Sequence, residues 1–380
     1  MDVLISGAGI AGPALAYWLR HHGFTPTVVE RASQVRTGGN AMGFRGEALD
    51  VLDRMALLEQ VHALNTHPGD AAGKGRDGGP YTATPTMIFE YHLEILRGDL
   101  IGLLYEATRR EVEYVLGDSI AALEQDADGV RVTFERGRPR RFDLVAGADG
   151  LHSRTRSQVF GPRERFVRHL GLYTVAFGLP GRRYPRGTGP LHSVPGKTAD
   201  LLSARDDGEG RVALHFASGP LTYDHDDVAQ HKRIVAERFA GEGERIPHLL
   251  EEMNRAEDFF FDANAQVEMD RWSSGRVVLL GDAGYCAAPA SGHGASQALI
   301  GAYVLAGELA VAGGDHTMAF AAYEREMRGL VAEHQQLGRE GADRFFLGSP
   351  IREAPDMTAT EVTLARIVRL KNYVSGPAVT

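Results

Sequence analysis

The chain has 380 residues, 43% hydrophobic and 24% charged, the composition of an ordinary globular protein with a sizeable core. A net charge of -9 argues against general affinity for nucleic acid or an anionic membrane surface. The single cysteine, Cys286, excludes a disulfide framework, a CxxC redox pair or a cysteine-rich zinc site within one chain. No basic stretch with an apolar signal core precedes the first strand, and no uncharged apolar run is long enough to span a bilayer, so the expected location is the cytoplasm.

Asp2–Ser6 is a short apolar run bounded by glycine and reads as a buried strand. Gly7, Gly9 and Gly12 follow in the spacing GxGxxG. From Ile10 and Ala11 the apolar positions Ile10, Ala14, Leu15, Trp18 and Leu19 recur at helical spacing, Gly23 caps the helix, and Thr25–Glu30 is a second strand. Each glycine then has a task. Gly7 permits the tight turn, Gly9 lets a pyrophosphate approach the backbone, and Gly12 lets the helix pack closely on the sheet. The phosphates meet free N–H groups at the positive end of the helix dipole. Glu30, followed by Arg31, ends the second strand where a ribose hydroxyl would lie, and a carboxylate there disfavours a 2′-phosphate. The motif by itself leaves NAD and FAD both open.

Further on, Arg97 stands in the stretch "ILRGDL". An apolar strand within Arg141–Arg156 stops at Asp149-Gly150, and a second, Arg276–Leu280, ends at Gly281-Asp282. A loop rich in proline and glycine follows, and a long helix begins near Gly294. Asp282 therefore stands at the carboxyl end of a strand, where open α/β sheets bind ligands. In between, Tyr173, Val175 and Phe177 alternate, as do Val212, Leu214 and Phe216, and Phe259–Phe261 opens another strand-like run. Period-two patterning broken by "PGRRYPRGTGP" and "RDDGEG" predicts an antiparallel sheet with turns.

These motifs resemble those of the FAD-dependent monooxygenases of the para-hydroxybenzoate hydroxylase type, the class A flavoprotein hydroxylases. The likeness is greatest to the tetracycline-inactivating and polyketide-tailoring members, and it extends over nearly the whole chain. The resemblance implies that Arg97 lies along the FAD pyrophosphate and ribityl chain. It implies that Asp149-Gly150 supports the flavin and the nicotinamide reaction, and that Gly281-Asp282 holds ribityl or ribose hydroxyls. Pro289, Gly292, Gly294 and Ala295 are then expected to run beside the isoalloxazine ring. The chain departs from the common pattern in three places. Gly284-Tyr285 stand where a His often follows "GDAA", Ala288-Pro289 replace a proline pair, and the loop Thr37–Gly46 has Met42-Gly43 where relatives often carry a carboxylate.

The expected fold is α/β: a Rossmann-like FAD-binding domain (1–67, 95–162 and 268–345) with an inserted antiparallel β-sheet substrate domain (68–94 and 163–267) and a C-terminal helical segment (346–380, with a helix about Thr358–Lys371). No second GxGxxG occurs in mid-chain, so NADPH or NADH is expected to bind transiently in the cleft as co-substrate. The resemblance implies that the nicotinamide reduces the flavin and that the reduced flavin takes up O2 at C4a. One oxygen atom then passes to an electron-rich carbon of an aromatic or polycyclic small molecule, and water leaves. No side-chain nucleophile or metal is needed, and phenolic substrates gain from a base. The catalytic candidates are Arg45 in the flavin-side loop, also a cofactor contact, then His293 between two loop glycines, and His215 on the strand face opposite Val212, Leu214 and Phe216. Arg45 and Arg36 are the candidates for a nicotinamide phosphate. A flavin-dependent dehydrogenase or reductase, or a cyclase that keeps FAD as a scaffold, is the alternative class. Nothing in the sequence indicates the oligomeric state.

Overall fold

A computed structural model describes residues 1–35, 41–44, 46–66, 93–183, 190–194, 196–203, 209–343 and 370–373. Arg36, Arg45, residues 37–40 of the loop Thr37–Gly46 and residues 358–369 of the expected C-terminal helix lie outside the described residues.

The chain opens with β1 (Asp2–Ser6), α1 (Ala11–His21) and β2 (Thr25–Glu30). Next come β3 (Ala41–Phe44), α2 (Glu47–Arg54), α3 (Leu58–Ala63), β4 (Leu93–Leu96), α4 (Arg97–Thr108) and β5 (Glu113–Leu116). The strands β6 (Ile120–Gln125), β7 (Val130–Phe134) and β8 (Arg140–Phe142) lead into β9 (Leu144–Gly147) and α5 (Arg154–Val159). The strands β10 (Val167–Arg183), β11 (Pro190–Val194), β12 (Lys197–Ser203) and β13 (Glu209–Ala217) are followed by α6 (Val228–Arg238), α7 (Ile246–Arg255) and β14 (Phe260–Val267). The short strands β15 (Ser273–Ser274) and β16 (Val277–Leu279) return to the first unit, which closes with α8 (Asp282–Tyr285), α9 (Gly294–Val311) and α10 (His316–Ala342).

The first sheet has the order β15-β16-β9-β1-β2-β5 and is parallel apart from the β15–β16 hairpin. Its central strands are apolar throughout because both faces are covered. Val3, Ile5, Val28, Ala146 and Val278 face a helical layer that includes α1 and α9. Leu4, Val29, Val145 and Val277 face the opposite way, onto Ile120, Val130, Val132 and Phe142 of the three-stranded sheet β6–β8. The alternation along one strand thus builds three layers. Gly23, at φ +81°, ends α1 as expected: the Gly23 N–H bonds back to the Arg20 carbonyl and the Phe24 N–H to that of Leu19.

The second sheet is antiparallel, in the order β11-β12-β13-β10-β14. Tyr173, Val175 and Phe177 stand opposite Phe216, Leu214 and Val212, so the two alternating runs of the sequence are cross-strand partners. That apolar face is covered by α6 and α7 through Val235, Phe239, Ile246, Leu249 and Met253. The other face points at the first unit, where Leu172 packs with Ala290 and Ala342.

By length and composition α9 is apolar enough to cross a membrane. Its single acid, Glu308, is paired with Lys371 at 2.7 Å, and the helix is buried against α1, α2 and α10. Its apolarity is that of a core helix.

Candidate active site

The four motifs, scattered over nearly 300 residues, converge on the carboxyl ends of β1, β9 and β16. Gly7 has φ +108°, and a Cβ there would lie 2.5 Å from the Ala148 carbonyl oxygen and 3.1 Å from the Asp149 Cα. Only glycine allows that turn so close to the neighbouring motif. A Cβ at Gly12 would lie 1.9 Å from the Gly7 oxygen, so α1 starts with its backbone against the turn. At Gly9 the surroundings are open: the nearest neighbour to a Cβ is Arg97 Nη2, at 3.8 Å. A cradle of backbone with a guanidinium poised over it suits a pyrophosphate.

Gly281 has φ +63°, and a Cβ there would lie 3.3 Å from the Ala11 Cβ, which joins the third motif to the start of α1. Asp282, next in sequence, has protein packed all around it, yet its side chain is exposed. Both are true because the carboxylate faces an open cleft. Desolvation raises its pKa, and the positive charge of Arg97 works against that rise. Asp282 Oδ1 would be 3.8 Å from a Cβ at Gly294, the first residue of α9. The carboxylate therefore sits between the guanidinium of one motif and the helix start of another. In the loop that follows, Pro289 is exposed while Ala288, Ala290 and Ser291 are buried, and Gly292, Gly294 and Ala295 are half-buried. Ala288 at φ +73° and Gly292 at φ +67° set the loop shape. A left-handed alanine costs about 1–3 kcal/mol and marks a segment held by its surroundings.

Other predicted residues have partners of their own. Glu30 takes the Ala8 N–H on Oε2 at 2.8 Å and the Ala32 N–H on Oε1 at 2.9 Å, so it braces the phosphate turn and keeps further lone pairs for a ribose. Asp149 accepts from Ser153 Oγ at 2.5 Å and from both the N–H and Oγ1 of Thr155 at 3.0 Å. Its carboxylate shapes the turn, while Gly150, at φ +78° with open space around it, is the part that a ligand can approach. Arg31 is ion-paired with Asp226 at 3.0 Å, both exposed, and reaches across to the segment before α6. Ile10 and Ala11 are buried at the start of α1.

His293 is buried, with Nδ1 against the Ser291 carbonyl and its ring 4.2 Å from that of His334 on α10. His215 lies on the face of β13 opposite Val212, Leu214 and Phe216, as its alternation predicts, and is buried. The Ala290 N–H donates to Asn264 Oδ1 at 3.0 Å, so the Asn264 amide nitrogen is a donor, and it gives a 2.6 Å bond to Thr174 Oγ1. The Thr174 hydroxyl then has its own proton for His215 Nδ1, 3.1 Å away. Burial holds the pKa of His215 down to about 4, so the ring is neutral near pH 7.

Several residues that tie the site together are not among the candidates of the sequence. Arg156 is fully buried and donates to the Ala283 carbonyl at 2.8 Å and the Leu151 carbonyl at 2.7 Å, tying the Asp149 motif to the Asp282 motif. Its position seven residues after Asp149, inside a helix that Ser153 caps, was the available signal. Thr174 and Asn264 sit at the inward positions of strands whose apolar alternation was read, and the polar side of that alternation was the signal for them.

The family described as "FAD binding domain" matches residues 1–334. An uncharacterized protein of Mycobacterium tuberculosis is 46% identical over 355 residues, covering 92% of this chain and 95% of its own length. A flavin-dependent monooxygenase of Legionella longbeachae is 34% identical over 381 residues, covering 99% of this chain and 98% of its own. Among solved structures, tetracycline destructase Tet(51) is similar with a TM-score of 0.86 and 33% identity, over 98% of this chain and 99% of that one. The cradle at Gly9, the cleft-facing Asp282 and the open turn at Gly150 fit the adenine dinucleotide that such a domain binds, and the chain belongs to the FAD-dependent monooxygenases.

Proposed function

We propose that the protein is an NAD(P)H-consuming monooxygenase that hydroxylates an aromatic or polycyclic small molecule of the tetracycline type. The observation that carries this reading is the inward face of the antiparallel sheet. It is buried, it mixes the apolar Leu172, Ala176 and Ala213 with the polar Thr174, Asp200, His215 and Asn264, and it is bonded through Asn264 to the loop at Ala290 that is expected to run beside the flavin ring. A few placed polar groups among apolar ones are what a ligand pocket carries. Tetracycline destructase Tet(51), similar along nearly its whole length, supports the substrate class.

Bound FAD, reduced by a nicotinamide, would supply the activation of O2. The chain's residues would do the rest. Gly7, Gly9 and Gly12 with Arg97 would seat the pyrophosphate, Glu30 the adenosine ribose, and Asp282 the ribityl hydroxyls. Pro289, Gly292, Gly294 and Ala295 would line the ring. The backbone N–H groups at the start of α9 would stabilise negative charge on the reduced ring by about 0.3–2 kcal/mol. Neutral His215, held by Thr174, would keep the pocket free of a competing positive charge. NADPH is favoured over NADH, with Arg45 and Arg36 as the proposed phosphate contacts.

The test is a turnover with tetracycline, NADPH and ¹⁸O2. One mole of O2 is expected per mole of NADPH, with one ¹⁸O in the product and none from labelled water. A product that gains no oxygen from O2 would overturn the reading.

A further inference from the structure

On the same inward face, one carboxyl is left out of the hydrogen-bond chain from Ala290 to His215. Asp200 lies on β12 opposite Ala213 of β13, while Thr198 stands opposite His215. Asp200 is thus the diagonal neighbour of His215 on one face, at the spacing of about 7–8 Å usual for such pairs. It is 2% exposed. Its Oδ1 has no hydrogen-bond partner, and its Oδ2 has Thr198 Oγ1 only at the 3.5 Å limit. Burial pushes the carboxyl up to about 7.

A buried acceptor without a donor costs stability, and a leucine of similar size would avoid that cost. The opposite face of the same strands shows that this sheet carries apolar residues where only packing is needed: Ala199 and Leu201 flank Asp200 and face α6 and α7. Among these polar side chains of the inward face, Thr174, His215 and Asn264 are bonded in one chain, while Asp200 has a buried oxygen without a hydrogen-bond partner.

We propose that Asp200 anchors the substrate, with Oδ1 accepting a hydrogen bond from a phenolic or enolic hydroxyl of a polycyclic ligand. This rests on the reading of the inward face as the substrate pocket. The bond draws the hydroxyl proton away from the ring and raises electron density on the neighbouring carbons, which oxygen transfer to carbon requires. Where the proton moves fully, the substrate O–H bond breaks, its electron pair stays on the substrate oxygen, and the proton rests on Oδ1.

The test is titration of the FAD-loaded protein with tetracycline, followed by flavin absorbance, for the wild type, Asp200→Leu and Asp200→Asn. FAD content and Tm are measured for each. Asp200→Leu is expected to bind tetracycline at least about tenfold more weakly, with FAD content unchanged and Tm equal or higher. Asp200→Asn keeps the shape and a carbonyl acceptor, so its affinity is expected to stay within about threefold. If Asp200→Leu keeps wild-type affinity, the anchor is elsewhere and this inference falls while the pocket reading stands. If both variants lose Tm and FAD, the carboxyl is structural, and the inference falls as well. If the wild type itself does not bind tetracycline, the pocket reading fails and the anchor goes with it.

Discussion

At Gly9 the side chain matters by its absence. Arg97 Nη2 is the one neighbour within 4 Å of a Cβ there, so a valine would fold easily but would fill the space that a pyrophosphate needs. Gly9→Val is expected to fold with nearly unchanged Tm and to purify mostly without flavin, read as the ratio of absorbance at 450 to 280 nm. Asp282 makes the complementary case. Its folded carboxyl titrates above its ordinary value, so the charged form costs stability at neutral pH, and that cost fades as pH falls toward the unfolded value. Asp282→Ala should therefore leave the apoprotein at least as stable as before at pH 7. It should weaken FAD binding about 10- to 100-fold, the usual worth of a hydrogen bond to a charged group. Titration of both apoproteins with FAD is the measurement, and unchanged affinity would make Asp282 structural.

At the level of elements, the short helix α5 joins two cofactor motifs. Ser153 caps it by accepting the Arg156 N–H at 2.9 Å, and the same hydroxyl donates to Asp149. Asp149 in turn holds Thr155, so turn and helix end form one hydrogen-bonded unit. Arg156 projects from this unit to the Ala283 carbonyl in α8. Burial lowers its pKa and Asp149 raises it, so the charge is held where protein carbonyls replace water. Arg156→Leu would leave the buried Ala283 carbonyl and the partly buried Leu151 carbonyl without this donor. A loss of about 2–4 kcal/mol is expected, with a lower Tm and a weaker hold on FAD, since both motifs lose their common tie. Chemical denaturation of holoprotein and apoprotein measures both effects, and full stability of the variant would show that the carbonyls find other donors.

Across the whole molecule, the two sheets meet through few but specific polar ties. His152, two residues past Gly150, bonds to Asp262 of β14 at 3.0 Å. Asn264, two residues further along that strand, binds the Ala290 N–H of the loop before α9 and Thr174 of β10. Gln266, two further again, donates to the Ala287 carbonyl at 3.1 Å and to that of Gln335 on α10. One strand face thus registers the antiparallel sheet, the roof of the proposed pocket, against the loop and helix of the first unit. Asn264→Ala would leave the Ala290 N–H buried and unpaired and free Thr174 to rotate. It is expected to cost about 1–3 kcal/mol and to lower tetracycline affinity more than FAD affinity, since the floor is built by other residues. Parallel titrations with the two ligands decide this, and equal losses would mean that the tie serves the cofactor loop alone.

Much of this was legible locally. The spacing of Gly7, Gly9 and Gly12, the cap at Gly23 and the alternation of Tyr173–Phe177 and Val212–Phe216 depend on backbone angles and on which side of a strand a residue points. A window of a few residues carries that information, and the structure has those turns and strands. Even there the edges moved: the strand read as Arg276–Leu280 is Val277–Leu279, although the Leu280 N–H still bonds to Gly147. The second antiparallel layer, β6–β8, is not among the expected elements: Val130, Val132 and Phe134 of β7 do alternate with Arg131 and Thr133, but β6 and the three-residue β8 show no such period. What the sequence by itself determined is the dinucleotide turn with its flanking strands and helix, the alternating strands of the second sheet, and a dinucleotide as the class of ligand. Only the tertiary structure decided that Arg31 pairs with Asp226, that Arg156 bridges two motifs, and that Asp200 shares a face with His215 and has no donor. Each of these depends on partners that the fold alone brings together, many of them far apart in sequence, and a side chain's energy is set by those partners and by the water they exclude.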